Sequence, residues 1–289
     1  MESGFVKDLE PKVYRGRIAP TPTGYMHLGH ARTFLIAQER AKAAGGDLLM
    51  RIEDLDQTRC KGEFVSALEE DLRWAGLNWD EGPVRDASYG SCVQSERLGY
   101  FEAIWLKLRD LGAVFPCVCS RKDVQEAVSA PHQEGRELIY PGTCREKSIT
   151  DLGEVDTKKV NWRFRVPDGE RISFRDGNKG EVSYVAGEDF GDFLVWRKDG
   201  FPSYELAVVA DDIAMEITEV VRGEDLLMST ARQILLYRTL GYEAPSFYHC
   251  ELVKDENGER LAKRSKSVGL RELRARGVEP NDLMRMARI

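Results

Sequence analysis

The apolar positions of the first fifty residues change period twice. Val13-Tyr14-Arg15-Gly16-Arg17-Ile18-Ala19-Pro20 reads as a short strand ended by proline, and Thr21 to His30 as a turn rich in glycine and proline. Over residues 31–44, Ala31, Phe34, Leu35 and Ala41 fall on an i, i+3, i+4 stripe, which predicts a helix stopped by Gly45-Gly46. Residues 47–53 then read as a buried strand. Strand, glycine-containing turn, helix and strand make one βαβ unit, which implies a parallel sheet.

Helices are expected over 62–75 and 95–111, with a loop over 77–83 between them. From Ala113 to about Val185 the pattern breaks into short alternating stretches, clearest in Val160-Asn161-Trp162-Arg163-Phe164-Arg165-Val166, among scattered Cys, Gly and Pro. A small inserted subdomain is the reading. Strand and helix character returns over 202–210 and 216–221, residues 229–240 read as a helix stopped by Gly241, and 269–277 as a further helix. The expected organisation is an α/β domain built from 1–112 and 190–255, an insertion over 113–189, and a terminal segment over 256–289. No internal repeat is visible.

Composition narrows the classes. A chain of 289 residues with 42% hydrophobic and 31% charged residues has the make-up of an ordinary globular protein, not a disordered one. The balance of 42 basic against 49 acidic residues argues against coating nucleic acid through bulk positive charge. A shaped nucleic-acid site with local basic residues is still open, and residues 254–289 are locally basic. No apolar run approaches the roughly 18 residues of a membrane span, and the mixed, charged start from Met1 to Tyr14 fits neither a signal nor a transit peptide. A reducing cytoplasm is therefore expected, and disulfides are not. Cys60, Cys92 and Cys250 are isolated and read as small apolar residues, whereas Cys117, Cys119 and Cys144 are grouped.

Three constellations could carry chemistry. His27-Leu28-Gly29-His30 leads into the first helix. Two imidazoles can donate to phosphate oxygens, Gly29 permits close approach, and a helix N-terminus favours an anion. The plainer alternative is a loop with two surface histidines. Lys263-Arg264-Ser265-Lys266-Ser267 places two lysines about a serine, either as point charges for a phosphate or as a solvated basic loop. Cys117-Val118-Cys119 with Tyr140-Pro141-Gly142-Thr143-Cys144 offers three thiolates and a fourth donor, a set that suits tetrahedral zinc. His132 competes with Tyr140 as the fourth ligand, and buried free thiols are the alternative.

The first two motifs, in this order, resemble the HIGH and KMSKS signatures of class I aminoacyl-tRNA synthetases. The first differs by leucine for isoleucine and the second by arginine for methionine. Arg17-Ile18-Ala19-Pro20-Thr21-Pro22-Thr23-Gly24, Arg51-Ile52-Glu53-Asp54-Leu55-Asp56 and Val221-Arg222-Gly223-Glu224-Asp225-Leu226 resemble segments of glutamyl-tRNA synthetases. The resemblance implies a Rossmann-like parallel sheet with an inserted zinc-containing subdomain. It implies a glutamate pocket lined by Arg17, Ala19, Thr21, Glu53, Tyr204 and Arg222, an ATP site at His27, Gly29, His30 and Lys266, and catalytic roles for His27, His30, Lys263 and Lys266. Arginine can grip a carboxylate bidentately, and Glu53 can meet the substrate ammonium. The Cys-x-Cys and Tyr-x₃-Cys spacing resembles the structural zinc site of a shortened relative, with Cys117, Cys119, Tyr140 and Cys144 as ligands.

Only 268–289 follow the second motif, so an anticodon-binding domain is not expected. That layout resembles the glutamyl-queuosine tRNA(Asp) synthetase family. Its members activate L-glutamate with ATP and Mg²⁺ and transfer it to queuosine at the first anticodon position of tRNA(Asp). The resemblance also implies a monomer that works on the anticodon stem-loop. Two alternatives stand beside this one: a glutamyl-tRNA synthetase fragment charging the 3′ end of tRNA(Glu), and a non-catalytic paralogue. A plain dinucleotide-binding protein fits poorly, because no G-x-G-x-x-G follows the first strand.

Overall fold

The computed structural model describes residues 13–83, 89–127, 139–153, 156–253 and 269–286. Lys263, Lys266 and His132 lie outside them. The strands are β1 (Arg15–Ile18), β2 (Asp47–Met50), β3 (Val114–Cys117), β4 (Asn161–Phe164), β5 (Arg171–Asp176), β6 (Gly180–Val185), β7 (Leu194–Trp196), β8 (Glu219–Gly223) and β9 (Ser246–Cys250). The helices are α1 (Leu28–Ala44), α2 (Gly62–Trp74), α3 (Leu98–Asp110), α4 (Arg121–Ala127), α5 (Tyr204–Ala214), α6 (Leu227–Leu240), α7 (Leu270–Ala275) and α8 (Pro280–Met286).

The predicted βαβ unit is present: β1 and β2 pair in parallel, Arg15 opposite Asp47 through Ile18 opposite Met50, with α1 crossing between them. The stripe residues Ala31, Phe34, Leu35 and Ala41 are all buried on α1. The helix starts at Leu28, earlier than the periodicity suggests, so His27 becomes its N-cap residue and His30 lies in its first turn. Periodicity missed that turn because glycine and histidine carry no apolar signal. Beyond β2 the chain stays beside β1 irregularly, with Arg51 N–H donating to Ile18 O at 2.9 Å and Glu53 N–H to Pro20 O at 3.0 Å.

The two glycines that end α1 act differently. Gly45 takes the left-handed conformation (φ 63°) and closes the helix by donating to Ala41 and Lys42 carbonyls. Gly46 is where the chain squeezes past β1: a Cβ there would lie 2.2 Å from Tyr14 O and 2.7 Å from Tyr14 Cβ. Gly46→Ala is expected to destabilise the protein by about 1–3 kcal/mol or more, through overpacking against backbone. Urea denaturation checks this, and an unchanged midpoint would refute it.

On the other side of β1 lies β8, joined by Thr218 N–H donating to Arg15 O at 2.9 Å. β8 continues into a four-stranded sheet of order β6-β5-β9-β8. There β8 and β9 are parallel, and β5 touches β9 in parallel at Asp176 opposite Phe247. A second, three-stranded antiparallel sheet has the order β3-β4-β7. The stretch 113–189 thus shares strands across its second expected limit: β4 pairs with β7, and β5 with β9, both beyond residue 189. Sequence periodicity is blind to such long-range pairing.

One core packs α1, α2 and α7 against β1 and β2 around Phe34, Leu35, Leu68, Leu72 and Leu270. Another packs α3, α5 and α6 against the three-stranded sheet, where the Trp105 ring stacks on Trp196 at 4.9 Å. Among the described residues no helix is long and apolar enough to cross a membrane.

Candidate active site and metal centre

A cavity of about 360 Å³ opens where the carboxyl ends of β1 and β8 meet the start of α1. Ligands of open α/β sheets are held at strand ends of this kind. Its wall includes Arg17, Ala19, Thr21, Glu53, Tyr204 and Arg222, the six positions expected to form an amino-acid pocket, together with His27, Gly29 and His30. Residues far apart in sequence thus line one space. Asp225 and Glu251 to Val253 complete its rim.

The His27 and His30 rings stack with centroids 3.6 Å apart. Desolvation lowers the pKa of His27, and desolvation together with repulsion from His27 holds His30 down to about 4. Both rings are therefore neutral near pH 7, and each can donate one N–H. They stand at the N-terminus of the 17-residue α1, whose exposed amides favour an anion.

The second lysine motif is bracketed by this cavity. Val253, on its amino side, is in the wall. Gly269, on its carboxyl side, bridges to His27, and Leu270 N–H donates to Met26 O at 2.9 Å.

Behind the pocket is a buried network of three arginines and three acids. Arg51 is fully buried, 2.6 Å from Asp212, 3.0 Å from Glu53 and 3.6 Å from Asp211. Arg17 lies 3.4 Å from Asp212, and Arg97 2.7 Å from Asp211. Burial pushes the Glu53 carboxyl up, and the Arg51 and Arg17 charges pull it down. This network holds Arg17 and Glu53 in the wall. Sequence reasoning missed its other members, although the pair Asp211-Asp212 inside the apolar run of α5 was a usable signal.

Arg222 is held differently. Its Nε–H donates to His249 Nε2 at 3.2 Å and its Nη2 to Thr230 Oγ1 at 2.7 Å. Its buried Nη1 has no partner among the described residues. Burial, and then the Arg222 charge, lower the His249 pKa to about 4 against the pull of Asp176.

The grouped cysteines also meet. The Sγ atoms of Cys117, Cys119 and Cys144 lie within 4.8 Å of one another, with Cys119 and Cys144 at 3.6 Å. Tyr140 Oη is 3.4 Å from Cys117 Sγ and 3.5 Å from Cys119 Sγ, and it accepts from Cys144 N–H at 2.9 Å. Tetrahedral zinc with Zn–S bonds of about 2.3 Å needs sulfurs about 3.8 Å apart, so this donor set fits with little movement. Arg163 sits 3.3 Å from Cys117 Sγ and 4.0 Å over the Tyr140 ring, a cation that offsets thiolate charge. Burial, and then the neighbouring thiols, raise the Tyr140 phenol well above its ordinary range, so it ligates only where a cation displaces its proton. Cys92 and Cys250 are buried and Cys60 is half-buried, away from this cluster.

The fold and the cavity are those of a class I aminoacyl-tRNA synthetase catalytic domain, and residues 13–289 match the family "tRNA synthetases class I (E and Q), catalytic domain". The chain is 45% identical over 266 residues to the glutamyl-Q tRNA(Asp) synthetase of Nitratidesulfovibrio vulgaris, covering 91% of this chain and 82% of that protein. It is 44% identical to the protein of the same name from Symbiobacterium thermophilum, covering 93% and 84%. The chain belongs to the glutamyl-Q tRNA(Asp) synthetase family. Full glutamate–tRNA ligases are similar over a smaller share of their length: 38% identity to that of a Hydrogenobaculum species, over 56% of its length. Among solved structures, a glutamate–tRNA ligase from Elizabethkingia meningosepticum in complex with its amino acid superposes with a TM-score of 0.76 at 31% identity, covering 88% of this chain and 52% of that one.

Proposed function

We propose that this protein activates L-glutamate with ATP and transfers the glutamyl group to the queuosine base at the first anticodon position of tRNA(Asp). The observation that carries the reading is that Arg17, Arg222 and Glu53 share the walls of one cavity with His27 and His30. Two arginines suit the carboxylates of glutamate, and Glu53 its ammonium. In the first step a glutamate α-carboxylate oxygen bonds to the α-phosphorus of ATP, the bond to the bridging oxygen breaks, and pyrophosphate leaves. In the second, a hydroxyl of the queuosine cyclopentenediol attacks the activated carbonyl, loses its proton, and AMP leaves.

Rate enhancement then comes from positioning and from stabilising charge on the phosphates, with no covalent protein intermediate. His27, His30 and the amides of α1 face the phosphates from one side. Lys266, with Lys263 in support, neutralises the phosphates in this reading. Mg²⁺ accompanies ATP as its counter-ion.

Charging with labelled glutamate tests the reading on three substrates: tRNA(Asp) with queuosine, tRNA(Asp) without it, and tRNA(Glu). Labelling of queuosine-bearing tRNA(Asp) alone is expected. Labelling of tRNA(Glu) instead would make the chain a minimal glutamyl-tRNA synthetase, the second reading that the ligase relatives favour.

Cys117, Cys119, Tyr140 and Cys144 hold a structural zinc in this reading. A closed four-donor site contributes folding free energy and offers no open position for chemistry. About one zinc per chain is expected by elemental analysis. Cys144→Ser should lower both zinc content and Tm, while exchange activity per folded molecule changes less than twofold. A zinc-free chain of unchanged Tm would refute the assignment.

A further inference from the structure

Among the described residues the other buried arginines are paired with carboxylates: Arg15 with Glu81, Arg17 and Arg51 with Asp212, Arg97 with Asp211 and Arg232 with Glu205. Arg222 departs from that rule. It is only 5% exposed, yet among the described residues its side-chain partners are neutral, His249 and Thr230. No carboxylate is hydrogen-bonded to it among the described residues, although the buried Glu205 lies within Coulombic reach, and Nη1 is left over in a side chain that lines the cavity.

The partners on the far side of His249 explain how such an arginine is held. Asp176 Oδ2 lies 2.7 Å from His249 Nδ1, and both side chains are buried. The Asp176 carboxylate is itself fixed by the backbone N–H groups of Asn178 (2.9 Å), Lys179 (2.8 Å) and His249 (3.2 Å). An ionised carboxylate only accepts, so Nδ1 carries the proton. The Arg222 Nε–H only donates, so Nε2 must offer its lone pair. Only the neutral Nδ1–H tautomer satisfies both, and a doubly protonated ring would set N–H against N–H.

We infer that His249, oriented by Asp176, is a positioning residue that fixes the Arg222 guanidinium for a substrate carboxylate without neutralising it. A carboxylate placed directly on Arg222 would hold it as firmly, but would compete with the substrate for the same charge. One imidazole interposed between Asp176 and Arg222 transmits orientation and keeps the acid a ring's width away. Strand pairing supplies the parts: β9 lies between β8, which carries Arg222, and β5, which ends at Asp176. The inference rests on the glutamate reading of the cavity.

The test is glutamate-dependent ATP–pyrophosphate exchange by the full chain, with glutamate and ATP varied separately. His249→Leu should raise the glutamate KM by about 10- to 100-fold, the size of a lost hydrogen bond to a charged group, and leave the ATP KM within about threefold. His249→Gln, whose amide oxygen can accept from Arg222, should recover most of that loss. Equal rises in both KM values, or none, would overturn the relay while leaving glutamate activation intact. A wild-type chain that exchanges no glutamate would remove the glutamate reading and the relay with it. Ring ¹⁵N NMR gives a reading that needs no variant. A neutral Nδ1–H tautomer at pH 7 is expected for His249, and an Nε2–H tautomer or an imidazolium would refute the arrangement.

Discussion

Lys266→Ala is expected to lower glutamate-dependent ATP–pyrophosphate exchange by about 10²–10³-fold, with the loss in kcat and little change in glutamate KM. The magnitude is that of removing one donor from developing oxyanion charge in a water-poor site. The argument has a chemical and a geometric part. A lysine ammonium is a compact point charge suited to a phosphate. The segment that carries it joins the cavity at both ends, at Val253 in the wall and at Gly269 bridged to His27. In the proposed reaction a lysine from that segment meets the phosphates, where negative charge grows as pyrophosphate departs. The effect is confined to kcat because the interaction strengthens in the transition state and the glutamate pocket is untouched. Near-wild-type exchange would remove Lys266 from the mechanism.

Arg51→Leu is the substitution expected to cost most in stability, about 3–5 kcal/mol, seen as a fall in Tm on the order of 10 °C. Arg51 is fully buried with three acids within 3.6 Å. Deleting its charge leaves Glu53, Asp211 and Asp212 desolvated, with Arg17 and Arg97 alone to offset them. Breaking a buried network by removing one partner exposes the full desolvation penalty of what remains. Arg59→Leu is the control: its pairing with Asp56 is on the surface, and a change under about 1 kcal/mol is expected. Thermal denaturation of the two variants side by side decides the matter. Equal, small shifts would mean that the network contributes little to the fold.

The histidine and lysine motifs and the cysteine spacing were legible because each is local, whereas Arg17 and Arg222 were named through the resemblance of the segments that carry them. A strand end, a glycine turn and a helix start lie within twenty residues of one another, and their chemistry can be read from residue type and order. The parallel pairing of β1 with β2 followed from the same short stretch. The supporting residues were not legible, since their meaning depends on partners far along the chain. Asp176, the last residue of β5, and His249, within β9, carry no local signal of a role. Asp211-Asp212 was visible as two acids in an apolar helix, but nothing nearby named Arg51 and Arg97 as their counter-ions. For the same reason periodicity gave no sign that β4 and β5, inside the expected insertion, pair with β7 and β9 beyond residue 189.

By itself, then, the sequence determined which groups are candidates to touch a nucleotide, an amino acid or a metal, because side-chain chemistry and helix-start geometry are short-range properties. The tertiary structure alone decided how those groups are held, and with what charge. Parallel strands lying side by side bring residues two hundred positions apart into contact. Only in that buried contact does desolvation make an arginine paired with an acid differ from one held by a neutral histidine.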